Sequence, residues 1–146
     1  MRWQVAVAFV AACLLGADSP DEAAKKDIEK WQGAWRAVSM VKDGKSAPEG
    51  ELTKIKLTVK GTDYHFQNGS FSEHGSYRFN ASANPKELDI VVGEGADKGK
   101  IYKVVYSIEG DQLVICVESA NKNRPKELSS NAGSGNVLET WRRMKP

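Results

Sequence analysis

His65 and His74 are the only histidines of the chain, and imidazole is a common ligand for zinc and similar metals. A site with two ligands and no third nearby is thin, and two solvated histidines are the simpler reading, so no metal is expected. Gly93 to Lys100 invites comparison with a phosphate-binding loop. Gly95 and Gly99 enclose three residues instead of four, Ile101 stands where Ser or Thr would be needed, and a strand pattern follows instead of a helix. No G-x-S-x-G elbow for a serine nucleophile occurs, and the carboxylates show no pairing by position. No catalytic residue is assigned, an enzyme is not the expected class, and no cofactor is implied. Lys103, Tyr106, Tyr64 and Arg78 alternate base and ring as a single-strand nucleic-acid binder does. With Lys plus Arg at 21 against Asp plus Glu at 19, the near balance argues against nucleic acid and for rings inside, lysines outside. Asn68-Gly69-Ser70 and Asn80-Ala81-Ser82 match the glycosylation pattern, which matters only in a host with that machinery.

The elements that position these residues follow from hydrophobic period. The chain of 146 residues, 40% hydrophobic and 27% charged, suits one domain with a buried core. Ser19-Pro20-Asp21-Glu22 carries the chemistry of a helix start, predicting a helix over Pro20–Trp31 with Ala24, Ile28 and Trp31 on its apolar stripe. From Ala34 the period becomes two. Ile55, Leu57 and Val59 alternate with lysines and threonine as in a strand with one wet face. Similar runs at 34–42, 53–60, 62–68, 73–80, 86–92, 101–108, 112–118 and 136–143 predict eight strands, joined by turns such as Asp43-Gly44 and Gly110-Asp111. The expected fold is all-β, an eight-stranded antiparallel up-and-down barrel with one short N-terminal helix. Eight strands leave just enough interior for side chains or one small ligand.

Residues 1–17 read as a signal peptide: Arg2 is followed by the uncharged run Val5 to Leu15, too short to span a bilayer, with cleavage after Ala17. The domain proper is then 18–146, secreted or periplasmic. An alternative is a lipobox at Val10-Ala11-Ala12-Cys13, which would acylate Cys13 and hold the protein on a membrane. Cleavage after Ala17 leaves no disulfide partner for Cys116, whose setting in Leu113 to Val117 is that of a small buried hydrophobe.

Gly33-Ala34-Trp35, placed after a helix and opening the first strand, resembles the G-x-W signature of the lipocalin superfamily. The resemblance implies that Trp35 packs at the closed end of the barrel beneath an arginine of the last strand, Arg143 or, if strand parity differs, Arg142. Trp31-Gln32-Gly33-Ala34-Trp35, Asp43-Gly44-Lys45, Asp97-Lys98-Gly99-Lys100, Gly110-Asp111-Gln112-Leu113, Arg124-Pro125 and Gly133-Ser134-Gly135 follow one another in an order that, over about Ile28 to Arg143, resembles a lipocalin-like family abundant in planctomycete bacteria. The chain departs at Trp31 and Leu128, where Leu and Phe would be usual. That family implies a fold and an export context, and no mechanism.

Two functions are therefore expected in competition. In the first, the barrel binds a small apolar or amphipathic molecule against Tyr64, Phe66, Tyr77, Phe79, Tyr102, Val104 and Tyr106. Gly93 to Gly99 and Ser119 to Gly135 read as loops at the barrel mouth or over its side; as the only stretches long enough they would supply the lids, where Arg124 or Lys98 would meet an anionic end of the ligand. In the second, these rings fill the barrel, and the protein is a cell-envelope interaction or structural domain.

Overall fold

A computed structural model describes residues 18–146; the segment expected to be a signal peptide, with Cys13, lies outside the described residues. Helix α1 (Pro20–Trp31) is followed by β1 (Gly33–Lys42), β2 (Lys45–Ser46), the single helical turn α2 (Glu49–Leu52), β3 (Ile55–Lys60), β4 (Asp63–Asn68), β5 (Phe71–Asn80), β6 (Lys86–Val92), β7 (Ile101–Glu109), β8 (Gln112–Glu118) and β9 (Asn136–Arg143). Each strand from β3 to β9 pairs antiparallel with the next, and β1 pairs with both β3 and β9, closing an eight-stranded barrel. This is the expected architecture, with β2 as a two-residue addition. The predicted strand over 53–60 starts at Ile55, because Glu49 to Leu52 form α2 and bury Leu52.

Helix α1 starts as its sequence dictates, with Ser19 Oγ accepting from the Glu22 amide at 3.2 Å. Its inner stripe also carries a charge that periodicity passes over. Asp27 is 2% exposed and accepts hydrogen bonds from Lys86 Nζ at 2.8 Å and Tyr106 Oη at 2.6 Å. A carboxylate so buried is tolerable only when paired and hydrogen-bonded, and the arrangement ties the helix to β6 and β7. At the helix end, the Gln32 side chain exchanges hydrogen bonds with the Gly61 backbone in the β3–β4 turn.

Trp35 is fully buried, and its Nε1 donates to the Trp31 carbonyl at 2.9 Å. Trp35 and Arg143 are directly opposed across β1 and β9, which puts their side chains on one face and settles the choice between Arg143 and Arg142. The Arg143 guanidinium stands 4.3 Å from the Trp35 ring centroid and donates to the Gln32 and Lys30 carbonyls at the end of α1. Gly33, at φ +109°, occupies the left-handed region that side chains rarely adopt. One end of the barrel is thus closed by helix, indole and guanidinium together.

The residues 119–135 do not cover the mouth. They run along the outside of β7, β8 and β9 as a strap, with Pro125 buried and Cys116 Sγ against the Ser129 carbonyl at 3.4 Å. Ile115 points inward, so Cys116 points out, and the strap rather than the barrel core buries it. Arg124 fastens the strap: it donates to the carbonyls of Leu88 and Val104, at 3.0 and 2.8 Å, and to Asp89 Oδ1 at 2.6 Å. These groups occupy its guanidinium on the outer wall. The expectation that Arg124 would meet a ligand at the mouth is therefore corrected.

Candidate functional site

The open half of the barrel contains a cavity of about 210 Å³. Of the seven residues expected to line the interior, Tyr64, Phe66, Tyr77 and Tyr102 form its wall. Phe79, Val104 and Tyr106 do not. They lie deeper, where Trp31 of α1 enters the barrel and takes the space. Its ring meets those of Tyr77, Phe79 and Tyr106 edge to face, with centroids 5.2, 5.3 and 5.2 Å away. The closed half is filled with protein, and the cavity begins above that plug.

The rest of the wall follows from alternation along each strand. Leu57, Ile90, Ile115, Val117 and Trp141 supply apolar surface, and Phe71 stands at the rim. Glu73 and Glu139 also line it. Neither was singled out from the sequence, yet both obey the parity that was: Glu73 shares a face with Tyr77 and Phe79 on β5, and Glu139 shares one with Trp141 on β9. The signal was present as two acids at inward positions of amphipathic strands.

Gly75 explains how one of them is held. It pairs with Tyr64 across β4 and β5, and the phenol lies over it so closely that a Cβ there would stand 2.6 Å from Tyr64 Cε1 and 2.2 Å from the Val91 carbonyl oxygen. The absent side chain lets Tyr64 cross its neighbouring strand, so that its hydroxyl donates to Glu73 Oε1 at 2.8 Å. Burial and that carboxylate together push the Tyr64 hydroxyl well above its ordinary pKa, and burial does the same for Tyr77. Both remain neutral donors. Glu139 accepts from Trp141 Nε1 at 3.2 Å. Desolvation by the surrounding wall outweighs that hydrogen bond and raises its carboxyl to about 7.

The mouth lies between the β4–β5 hairpin and residues 93–100. Phe71, Glu73, Glu94 and Asp97 border a second hollow there. Lys98, expected to meet an anionic ligand, is exposed to solvent, and the charged side chains that line this hollow are acidic. Lys100 stands at the same rim with Nζ 4.8 Å from the centroid of the Tyr102 ring. His65 and His74 oppose each other directly on the outer face of the hairpin, with stacked rings 4.0 Å apart. Among the described residues, no three side chains of the metal-ligating type gather, and no helix is long and apolar enough to cross a membrane. No family model, curated protein or solved structure matches the chain.

Proposed function

We propose that this chain is an exported, lipocalin-like binding module whose barrel holds a small amphipathic molecule. The observation that carries the reading is the cavity above the Trp31 plug, with an apolar wall and a few convergent polar groups in the manner of ligand sites. Its size limits the occupant. An engineered apolar cavity of about 150 Å³ accepts benzene, and pockets for drug-sized ligands start near 300 Å³, so about 210 Å³ suits one ring or a short chain. A long acyl chain is too large unless most of it lies outside the mouth. The export part of the proposal rests on Arg2, the Val5 to Leu15 run and Ala17; an intact mass of the native protein tests it, with an unprocessed Met1 as the contrary result.

Trp141 in the cavity wall makes a direct test available. Titration with 2-phenylethanol, a neutral single-ring probe, is expected to give a saturable change in tryptophan fluorescence that Ile90→Trp, which fills the cavity, abolishes. No saturable change with any single-ring probe would overturn the reading. Phe71 and Ile101, 56% and 38% exposed near the mouth, favour the second reading, a protein-interaction domain. Native mass spectrometry of the protein purified from its own cell envelope separates the two, through a small molecule or a protein that stays bound.

A further inference from the structure

We infer that the occupant is an organic ammonium ion, a primary or methylated amine on an apolar body of about one ring, whose cation lies between Glu139, Glu73 and the aromatic faces of the wall. The inference rests on the cavity being a binding site and adds the sign of the ligand's charge. The charged groups lining the cavity are Glu73 and Glu139, the hollow at the mouth adds Glu94 and Asp97, and no arginine, lysine or histidine lines either space among the described residues. A carboxylate ligand would enter a low-dielectric space facing like charge, with Lys100 at the rim as the one cation nearby, whereas an ammonium finds its counter-ion already in place.

The rings point the same way. Tyr64 and Tyr77 stack at 4.8 Å, and Trp141 and Phe71 each meet Phe66 edge to face. The π-faces of such rings are the negative part of their quadrupole and attract cations, the basis of aromatic cages for alkylammonium groups. Lys100 gives an internal example at the rim, where an ammonium already sits at a ring of this wall.

Glu139 supplies a readout that a merely apolar cavity lacks. The titratable groups that line the cavity with it are Glu73 and Tyr77 on β5, Tyr64 on β4 and Tyr102 on β7, with Lys100 at the rim, Cys116 on the outer face of β8 and the His65–His74 pair outside the β4–β5 hairpin. With its carboxyl near 7, Glu139 changes charge in the physiological range, and a bound cation favours its ionised form. Affinity for an ammonium should therefore rise with pH through neutrality and flatten above it. If only the ionised form binds, the gain from pH 6 to pH 8 is about tenfold.

The test is calorimetric titration of the purified protein with three probes of one shape: 2-phenylethylammonium, 2-phenylethanol and 3-phenylpropionate. At pH 8 the ammonium is expected to bind at least tenfold more tightly than the alcohol, and the carboxylate not detectably. Glu139→Gln should weaken the ammonium about tenfold and remove its pH dependence, and should weaken the alcohol by less than it weakens the ammonium. An alcohol or carboxylate that binds as tightly as the ammonium overturns the charge assignment while the cavity reading stands. Failure of all three to bind overturns both. The wild-type pH series and the three-probe comparison decide the matter even if the variant does not fold.

Discussion

Trp31 is the residue through which the helix acts on the barrel, and its replacement has a cost that can be worked from its surroundings. The side chain is fully buried and caged by three rings, all on strands that cannot close in without breaking the wall. Trp31→Ala should therefore lie toward the upper part of the range of about 3–5 kcal/mol for emptying a large aromatic site. One term offsets it. Trp31 Nε1 is buried without a hydrogen-bond partner, and removing an orphan donor returns about 1 kcal/mol or more. The net expectation is a loss of about 3–4 kcal/mol. In urea that moves the midpoint down by about 1.5–2 M, with a slope of about 2 kcal/mol/M for a domain of this size. Trp31→Phe keeps most of the packing and drops the orphan, so it should fall within about 1 kcal/mol of the wild type. The alanine variant should also join the space of Phe79, Val104 and Tyr106 to the cavity and admit two-ring probes. Equilibrium urea unfolding of the three proteins is the assay. An alanine variant shifted by less than about 0.5 M, or a phenylalanine variant as damaged as the alanine one, would refute the argument that α1 works as a plug.

Three further outcomes are expected. The folded state raises the Glu139 carboxyl from 4.5 to about 7 and so holds its proton more tightly than the unfolded chain does. The destabilisation is absent below the unfolded value, grows as pH rises through this interval and is constant above it. Glu139 is only partly buried, and solvent screening reduces the contribution to about 1–2 kcal/mol; Glu139→Gln should flatten that part of the difference in unlike-pH urea curves, and identical pH dependence in both proteins would count against it. Gly75→Ala forces a Cβ onto the Val91 carbonyl and Tyr64 and should cost about 3 kcal/mol in thermal or urea unfolding, the upper end for overpacking. Arg124→Ala should release the strap and speed modification of Cys116 by a thiol reagent several-fold, with little change in ring-probe binding; an unchanged labelling rate would mean that Pro125 and Ser129 hold the strap alone.

The sequence showed the strands because most face a core on one side and water on the other, so that the period of two is strong from Ile55 to Val59, while β7 and β8, covered outside by the strap, bury neighbouring residues. The G-x-W position of Trp35 and its partner Arg143 were legible for a related reason: both stand at element ends marked by Gly33 and by the last apolar alternation. The cavity was legible only in part. Parity says which residues point inward but not at which level of the barrel they stand, and Trp31, assigned only to a helix stripe, displaces the ligand space from Phe79, Val104 and Tyr106. Depth in a barrel depends on strand stagger, which β5 illustrates by pairing through residues 71–76 with β4 and through 75–80 with β6. Asp27, Glu73 and Glu139 were passed over because an acid on an apolar face looks like an interruption of the pattern until its partners are seen. A polar segment rich in Gly and Ser carries no sign of whether it covers the mouth or a side wall, and the strap takes the side.

The wall between β1 and β3 has its own consequence. Their pairing ends at Arg36 and Lys56, and at the same level β1 shifts register against β9 between Ala37 and Ser39, so its second half leans away toward β2. Above this point the circumference is bridged by the side chain of Leu52 and its turn instead of by a ladder of amides. Between β1 and β3 the wall is thus of two materials along its height, a lower part zipped by backbone pairing and an upper part closed by side chains. A wall closed by side chains can be spread at the cost of side-chain contacts alone, so amide exchange should be slow around the floor and quicken along β1 beyond Ser39. A molecule arriving at the mouth would then meet the deformable part first and the rigid one only once inside.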